Sequence, residues 1–529
     1  MATLTGGEAL VTALSAHGVD TVFGIPGTHN LGAFAALTSA GLRTILTRHE
    51  QGAGYAADGY ARVSGRPGVC LTTTGPAILN AAASAAQAWS DSVPVLFISP
   101  GLPTGHPGLG NGYLHEVRDQ RAAMAALVAY SHRVGSVAEI PLAVANAFSS
   151  MLGGRPRPVH LEIPLDLFDA CGDVTLTAPV QRSLAVPPEP ALDAAAAALG
   201  AAHRPVVLAG GGAKGASGQL RALAERCAAP VLTTANGKGV LDEDHPLSVG
   251  AGLHHPSARR LVENSDVVLA VGTELAPSDL WNGPYALPGT LIRIDVDASA
   301  IVTNADPAIR LLGDAGATLA ALTARLPGDR PDDDRARSAR DALGADAEAE
   351  GRRWRDILTA LAPVVDSTTI VAGDSTMTCY YGLLSGLRVH RPAGFLYPTG
   401  AGTLGYGLPA AIGAAVAAPD ARVLAVLGDG GIMFTVAELA TAAQLGLALP
   451  VLVVDNGGYG EIRNEMVDRG DRPVAVDLAP VDFAALAGSM GCHGIRIDDP
   501  TALTAEVASA WQADRPTLLW ISEDRTPER

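Results

Sequence analysis

Aromatic side chains are scarce, at 4% of 529 residues, while 60 residues are glycine and alanine abounds. Such a chain must fill its cores with small and aliphatic residues packed between helices and sheets. Cysteine is scarce too: Cys70, Cys171, Cys227, Cys379 and Cys492 lie scattered, with no C-x-x-C spacing. That argues against a zinc cluster or a disulfide frame and fits a reducing cytoplasm. Positive charge is in deficit, with a net charge of −17, so no nucleic acid or anionic membrane surface is expected as a partner. Apolar runs are broken by Pro, Asp or Arg well short of a membrane span, and no charged-then-apolar leader opens the chain. No short tandem repeat is visible. The expectation is a cytoplasmic, enzyme-sized protein of about two to four domains.

Two polar stretches divide the chain. Residues 171–190 end in Pro187-Pro188-Glu189-Pro190, and residues 326–352 form a charged run that reads as a solvated connector. The pieces are therefore 1–170, 190–326 and 352–529. Each alternates short apolar runs with helical ones, as at 206–210, 267–272 and 291–297 in the middle piece. This pattern predicts an α/β protein of three open parallel sheets. Gly210-Gly211-Gly212-Ala213, after a strand, is too weak a signal to assign a nucleotide there.

Residues 422–460 are the most informative. Val423 to Leu427 reads as a strand buried on both faces, and Gly428-Asp429-Gly430-Gly431 as a turn whose glycines admit a ligand close to the backbone. Thr435 and Glu438 have capping-box spacing, and Gly446 is placed to end that helix. Pro450 to Val454 is a second strand, followed by Asp455-Asn456-Gly457-Gly458. Ligands of open parallel sheets bind outside the carboxyl ends of strands, where Asp429 and Asn456 would be neighbours. A carboxylate and an amide oxygen, together with phosphate oxygens, suit magnesium. The Gly430 and Gly431 N–H groups suit phosphate. The dinucleotide pattern G-x-G-x-x-G fails, because Met433 stands at its third glycine.

This stretch resembles the metal motif of the thiamine diphosphate enzymes, which begins Gly-Asp-Gly and ends Asn-Asn; Asp455 replaces the first Asn. The resemblance implies Asp429, Asn456 and the Gly458 carbonyl as magnesium ligands, with Gly428, Tyr459 and Gly460 also at the cofactor. A second motif supports it. Arg48-His49-Glu50-Gln51-Gly52-Ala53 opens a helix running to about Val63, and the stretch 48–62 resembles the family's pyrimidine-domain motif, whose glutamate touches the ring nitrogen. Read locally, Glu50 only complements the helix dipole. Strands at Thr21 to Gly24 and Val69 to Thr73 lead into loops that also match. These place Pro26, Thr28 and His29 in one loop and Thr73 and Asn80 about the other, where Ala77 replaces a family glycine. His115 falls in a loop that borders the substrate in relatives. Catalytic work is implied for Glu50, His29, His115 and Thr28.

In the third piece, Asp374, Ser375 and Thr376 follow a strand and resemble the family's diphosphate loop. Leu404 resembles the bulky residue between the cofactor rings, and the Gly402 carbonyl the group holding the exocyclic amine. A core position is the plainer reading of Leu404. The resemblance covers nearly the whole chain and implies thiamine diphosphate and Mg2+ as cofactors. No FAD is expected, and the implied assembly is a homodimer or a dimer of dimers (a homotetramer) sharing its sites. Within the acetolactate synthase and 2-oxo acid decarboxylase superfamily, several scaffold stretches look most like 5-guanidino-2-oxopentanoate (2-ketoarginine) decarboxylases. The reading is non-oxidative decarboxylation of a small 2-oxo acid. An acetolactate-synthase-like carboligase and a non-catalytic cofactor-binding scaffold are the alternatives.

Overall fold

The computed structural model describes residues 2–180, 184–328, 330–331 and 334–523. The molecule is an α/β protein with three six-stranded sheets, parallel throughout. In the first, the order is Arg43–Leu46, Thr21–Gly24, Gly68–Leu71, Val95–Gly101, Val159–Pro164 and Ser131–Arg133. The second runs Ser248–Ala251, Val231–Thr233, Pro205–Ala209, Val267–Val271, Thr290–Asp295 and Ile309–Leu312. The third runs Phe395–Leu396, Thr369–Gly373, Arg422–Gly428, Pro450–Asp455, Thr517–Ser522 and His493–Ile497. A small antiparallel pair, Ala2–Thr5 with Cys171–Val174, uses part of the stretch read as a linker. Of that stretch, residues 181–183 lie outside the described residues.

Helices cover both faces of the sheets, so central strands such as Val95–Gly101 and Pro450–Asp455 are buried along their whole length. That explains their unbroken apolar runs. Each fully buried Val, Leu or Ile contributes roughly 1.5–3 kcal/mol. In the first and third sheets, chain order reverses between two neighbouring strands, leaving a crevice at the strand ends. In the first, the crevice lies between Thr21–Gly24 and Gly68–Leu71; in the third, between Thr369–Gly373 and Arg422–Gly428. Residues 25–30 and 72–80 flank one crevice, and residues 374–378 and 428–431 the other.

Two expectations are corrected. The charged run is no bare connector: Arg335–Glu350 is a helix packed on the middle domain through Ala336 and Leu343, with Ala347 also buried. Those three share one helical face, which the run's many charges conceal in the sequence. Thr435 and Glu438 form no capping box. The helix Glu438–Gln444 begins at Glu438, and Thr435 instead donates its hydroxyl to the Gly405 carbonyl at 2.7 Å. Buried Glu438 accepts the N–H groups of Arg48 and His49 and the Thr441 hydroxyl. It anchors the start of the Glu50 helix from another domain. Gly446 does follow the helix end, with φ of +62°. Among the described residues, no helix is long and apolar enough to cross a membrane.

Candidate active site

In the third domain, Asn456 follows its strand directly and Asp429 opens the short helix Asp429–Ile432 on the neighbouring strand. The Asn456 N–H donates to Asp429 Oδ1 at 3.3 Å. The Asn456 side-chain nitrogen faces Met377 Sδ at 3.8 Å, and its Oδ1 is buried with no partner among the described residues. Burial, with Asp455 nearby, pushes the Asp429 carboxyl up to about 6. A buried amide oxygen without a donor and a carboxylate short of compensating charge are the surroundings a hard cation relieves. Ser375 Oγ and Thr378 Oγ1, at the adjacent strand end, are likewise buried without partners and suit phosphate oxygens. The residues therefore fit magnesium and a diphosphate.

The glycines here are sterically required. A Cβ on Gly428 would lie 2.8 Å from Thr376 Oγ1, and one on Gly460 2.6 Å from the Asn456 amide nitrogen. Gly458, with φ of +146°, would press a Cβ to 2.0 Å from the Val476 carbonyl. The Gly430 backbone passes close under the Tyr459 ring. Asp374 has a different role from its two neighbours. It is buried, its carboxyl pushed up to about 6 by burial, and it accepts the Ser375 and Gly405 N–H groups. It fixes the loop carrying Gly402 and Leu404. Gly402 has φ of +60° and open space about it, and Leu404 is half-buried.

In the first domain, Asn30 ties its loop to both strands by donating to the Ile25 and Thr72 carbonyls while accepting the Gly27 N–H. Buried His29 is thereby held with Nδ1 3.0 Å from Thr74 Oγ1 and its ring 5.1 Å from that of His115. Burial, and then His115, keep the His29 imidazole below its ordinary value, favouring the neutral ring. His115 adopts φ of +63°, and its Nδ1 is buried without a partner among the described residues. Pro26 and Thr28 are exposed in the same loop, and Thr73 Oγ1 is another buried unpaired hydroxyl. Glu50 opens the helix Glu50–Ser64 and accepts the Asn80 side-chain N–H at 3.0 Å. Asn80 holds Glu50 directly.

Sequence reasoning missed three residues. Gln120, buried, accepts the Gly75 N–H and donates to Ser99, the Pro100 carbonyl and Glu162, fixing the loop beyond His115. Asp58 and Arg62 lie inside the pyrimidine motif. Arg62 donates to Asp58, Asp91 and the middle domain's Asn236, while Tyr406 of the third domain donates to Asp58 at 2.7 Å. This buried network joins three domains. Only its place within a matched motif marks it in the sequence.

His115 and Thr74 line one cavity and Asp429 another. Leu79 and Leu114, next in the chain to Asn80 and His115, are exposed, as are Met433 and Phe434 beyond Asp429.

Residues suited to a diphosphate and a hard cation at a strand-end crevice point to a thiamine pyrophosphate enzyme, and the chain belongs to that family. Models of its N-terminal TPP binding domain, central domain and C-terminal TPP binding domain match residues 4–124, 192–322 and 372–521. The protein named "Probable 2-ketoarginine decarboxylase AruI" of Pseudomonas aeruginosa is 42% identical over 98% of this chain and 94% of its own length. The acetolactate synthase large subunit of Parasynechococcus marenigrum is 35% identical over 98% of this chain and 87% of its own. Isozyme 1 of Escherichia coli is 30% identical over 98% and 94%.

Proposed function

We propose that the chain is a magnesium-dependent thiamine diphosphate enzyme that removes carbon dioxide from a 2-oxo acid without oxidation, with 5-guanidino-2-oxopentanoate as the candidate substrate. The observation that carries the cofactor assignment is the buried, unpartnered Asn456 Oδ1 beside Asp429. The choice of reaction follows the 42% likeness to a protein named for 2-ketoarginine decarboxylation, against 35% and 30% to acetolactate synthases.

Asp429, Asn456 Oδ1 and the Gly458 carbonyl would hold the metal. Ser375, Thr376 and the N–H groups of Gly430 and Gly431 would take the diphosphate. Glu50 would protonate the pyrimidine, with the Gly402 carbonyl at the exocyclic amine and Leu404 setting the bend between the rings. When bound, thiamine diphosphate supplies a carbon nucleophile and accepts the electron pair released with carbon dioxide. His29, with Nδ1 tied to Thr74 and its ring kept neutral, is suited to move a proton at Nε2. Leu79, Leu114, Met433 and Phe434, near these residues in the chain, are exposed apolar side chains; a second copy covering them would complete each site, in a homodimer or dimer of dimers.

Carbon dioxide release from a panel of 2-oxo acids, with thiamine diphosphate and Mg2+ supplied, tests this reading. The guanidino acid is expected to show the highest kcat/KM. The second reading, carboligation, rests on the acetolactate synthases matching 98% of the chain. Pyruvate as best substrate with acetolactate as product would establish it in place of the first.

A further inference from the structure

At the seam of the middle and third domains lies a cavity of about 520 Å³, within the range of small-molecule sites. The middle domain contributes His254 and Trp281, stacked with ring centroids 3.8 Å apart. The third domain contributes Tyr380 and Tyr381, and Gly402 lines the same space. Among the described residues, three carboxyl groups face it, Asp279, Glu461 and Glu465, and no Lys or Arg lines it.

The three carboxyls differ. Asp279 accepts the Ala235 N–H, and burial pushes it up to about 7, so it serves the wall. Glu465 is exposed at the rim. Glu461 is half-buried on the helix Gly460–Asp468, which starts directly after the proposed metal-binding loop. Its Oε1 accepts the Tyr381 hydroxyl at 2.6 Å, while its Oε2 has no hydrogen-bond partner among the described residues. Burial holds the Glu461 carboxyl above the ordinary range, and Glu465 and Asp468 add to this. Tyr381 is itself positioned by Trp281, edge-on at 6.0 Å, and by Trp354, stacked at 6.0 Å.

Aromatic faces around an unneutralised carboxylate recognise a cation, and a planar guanidinium pairs with a carboxylate while stacking on a ring. The same lining repels a carboxylate, which orients a substrate carrying both charges.

We propose that this cavity is the specificity pocket for the far end of the substrate side chain, and that it takes a guanidinium-class cation paired to Glu461. Tyr381 fixes that carboxylate, and Trp281 brings the middle domain into substrate selection by covering the cation's face. The assignment rests on the 2-oxo acid reading above and adds the residues that choose among such acids.

Two measurements on the holoenzyme and on Glu461→Gln test it. The first is kcat/KM for 5-guanidino-2-oxopentanoate and for 2-oxooctanoate, a neutral chain of similar length. The ratio of the two should fall roughly 10- to 100-fold in the variant, the loss expected when a charged hydrogen bond is removed. The second is calorimetric binding of 5-guanidinopentanoate, which lacks the oxo group and is not turned over. Its affinity should fall by a similar factor, and Trp281→Leu should weaken it too. An unchanged ratio, or equal losses on both acids, overturns the proposal. So does turnover of neutral acids with no binding of 5-guanidinopentanoate, which leaves the decarboxylase reading standing. Glu461-dependent binding without carbon dioxide release from any 2-oxo acid upholds the pocket and removes that reading.

Discussion

Glu50 meets the Asn80 amide at 3.0 Å at the head of its helix, where backbone N–H groups and the dipole favour a carboxylate. If its task is to protonate the pyrimidine, Glu50→Gln removes the proton but keeps the shape. The variant is expected to bind thiamine diphosphate within a few-fold of the unaltered protein. Proton exchange at the thiazolium carbon, followed by NMR, should slow by at least about 100-fold, the scale of lost acid–base help. Exchange at the original rate would take Glu50 out of the mechanism. A second residue, His160, bears on stability. It is fully buried between Ser99 Oγ and Ser131 Oγ, and burial lowers it from 6.5 to about 3. The folded state therefore keeps the ring neutral while the unfolded chain binds a proton below pH 6.5. The contribution is complete above that pH and is lost as pH falls toward 3. At pH 5 the loss is about 2 kcal/mol. His160→Gln should flatten the fall in urea midpoint between pH 7.5 and pH 5; an equally steep fall would place the effect elsewhere.

At the level of elements, the helix Glu50–Ser64 crosses the helix Gly407–Ala417 at a distance only glycine permits. A Cβ on Gly413 would fall 1.9 Å from the Ala56 carbonyl, and one on Gly59 2.3 Å from that of Ala410. The sequence motif containing Glu50 is thus partly a packing surface. Gly413→Ala should push the helices apart and destabilise the protein by about 1–3 kcal/mol, read as a lower denaturation midpoint. A midpoint within about 0.5 kcal/mol of the original would mean that the contact yields easily. The strands near both crevices were legible because burial on two faces leaves unbroken apolar runs. The spacing of Thr435 and Glu438 misled because a capping box is judged within one segment. Here Glu438 is claimed by the Arg48 and His49 N–H groups, some 390 residues away in sequence.

For the molecule as a whole, the buried Asp58–Arg62 network fixes three domains against one another, with Glu50 on the first and Asp429 on the third. If a second copy completes each site, Glu50→Gln and Asp429→Ala dimers should each be nearly inactive. In a mixed dimer, one site carries both lesions and the other carries none. Co-expression with two tags should therefore recover about half the activity of the unaltered dimer, by counting intact sites. An inactive, verified heterodimer would place each site within one chain.

The sequence by itself determined the α/β class, the loops at the strand ends and the likeness of Glu50, Asp429 and Asn456 to a cofactor site. Each depends on local alternation, on spacing or on a motif contained in one segment. Only the tertiary structure decided that Asn456 Oδ1 is buried without a partner, that Asp374 holds the loop of Gly402, and that Arg62 joins three domains. It alone set Glu461 opposite Trp281 of another domain. Burial and hydrogen bonding between segments hundreds of residues apart are properties of packing, and packing leaves no local pattern in the chain.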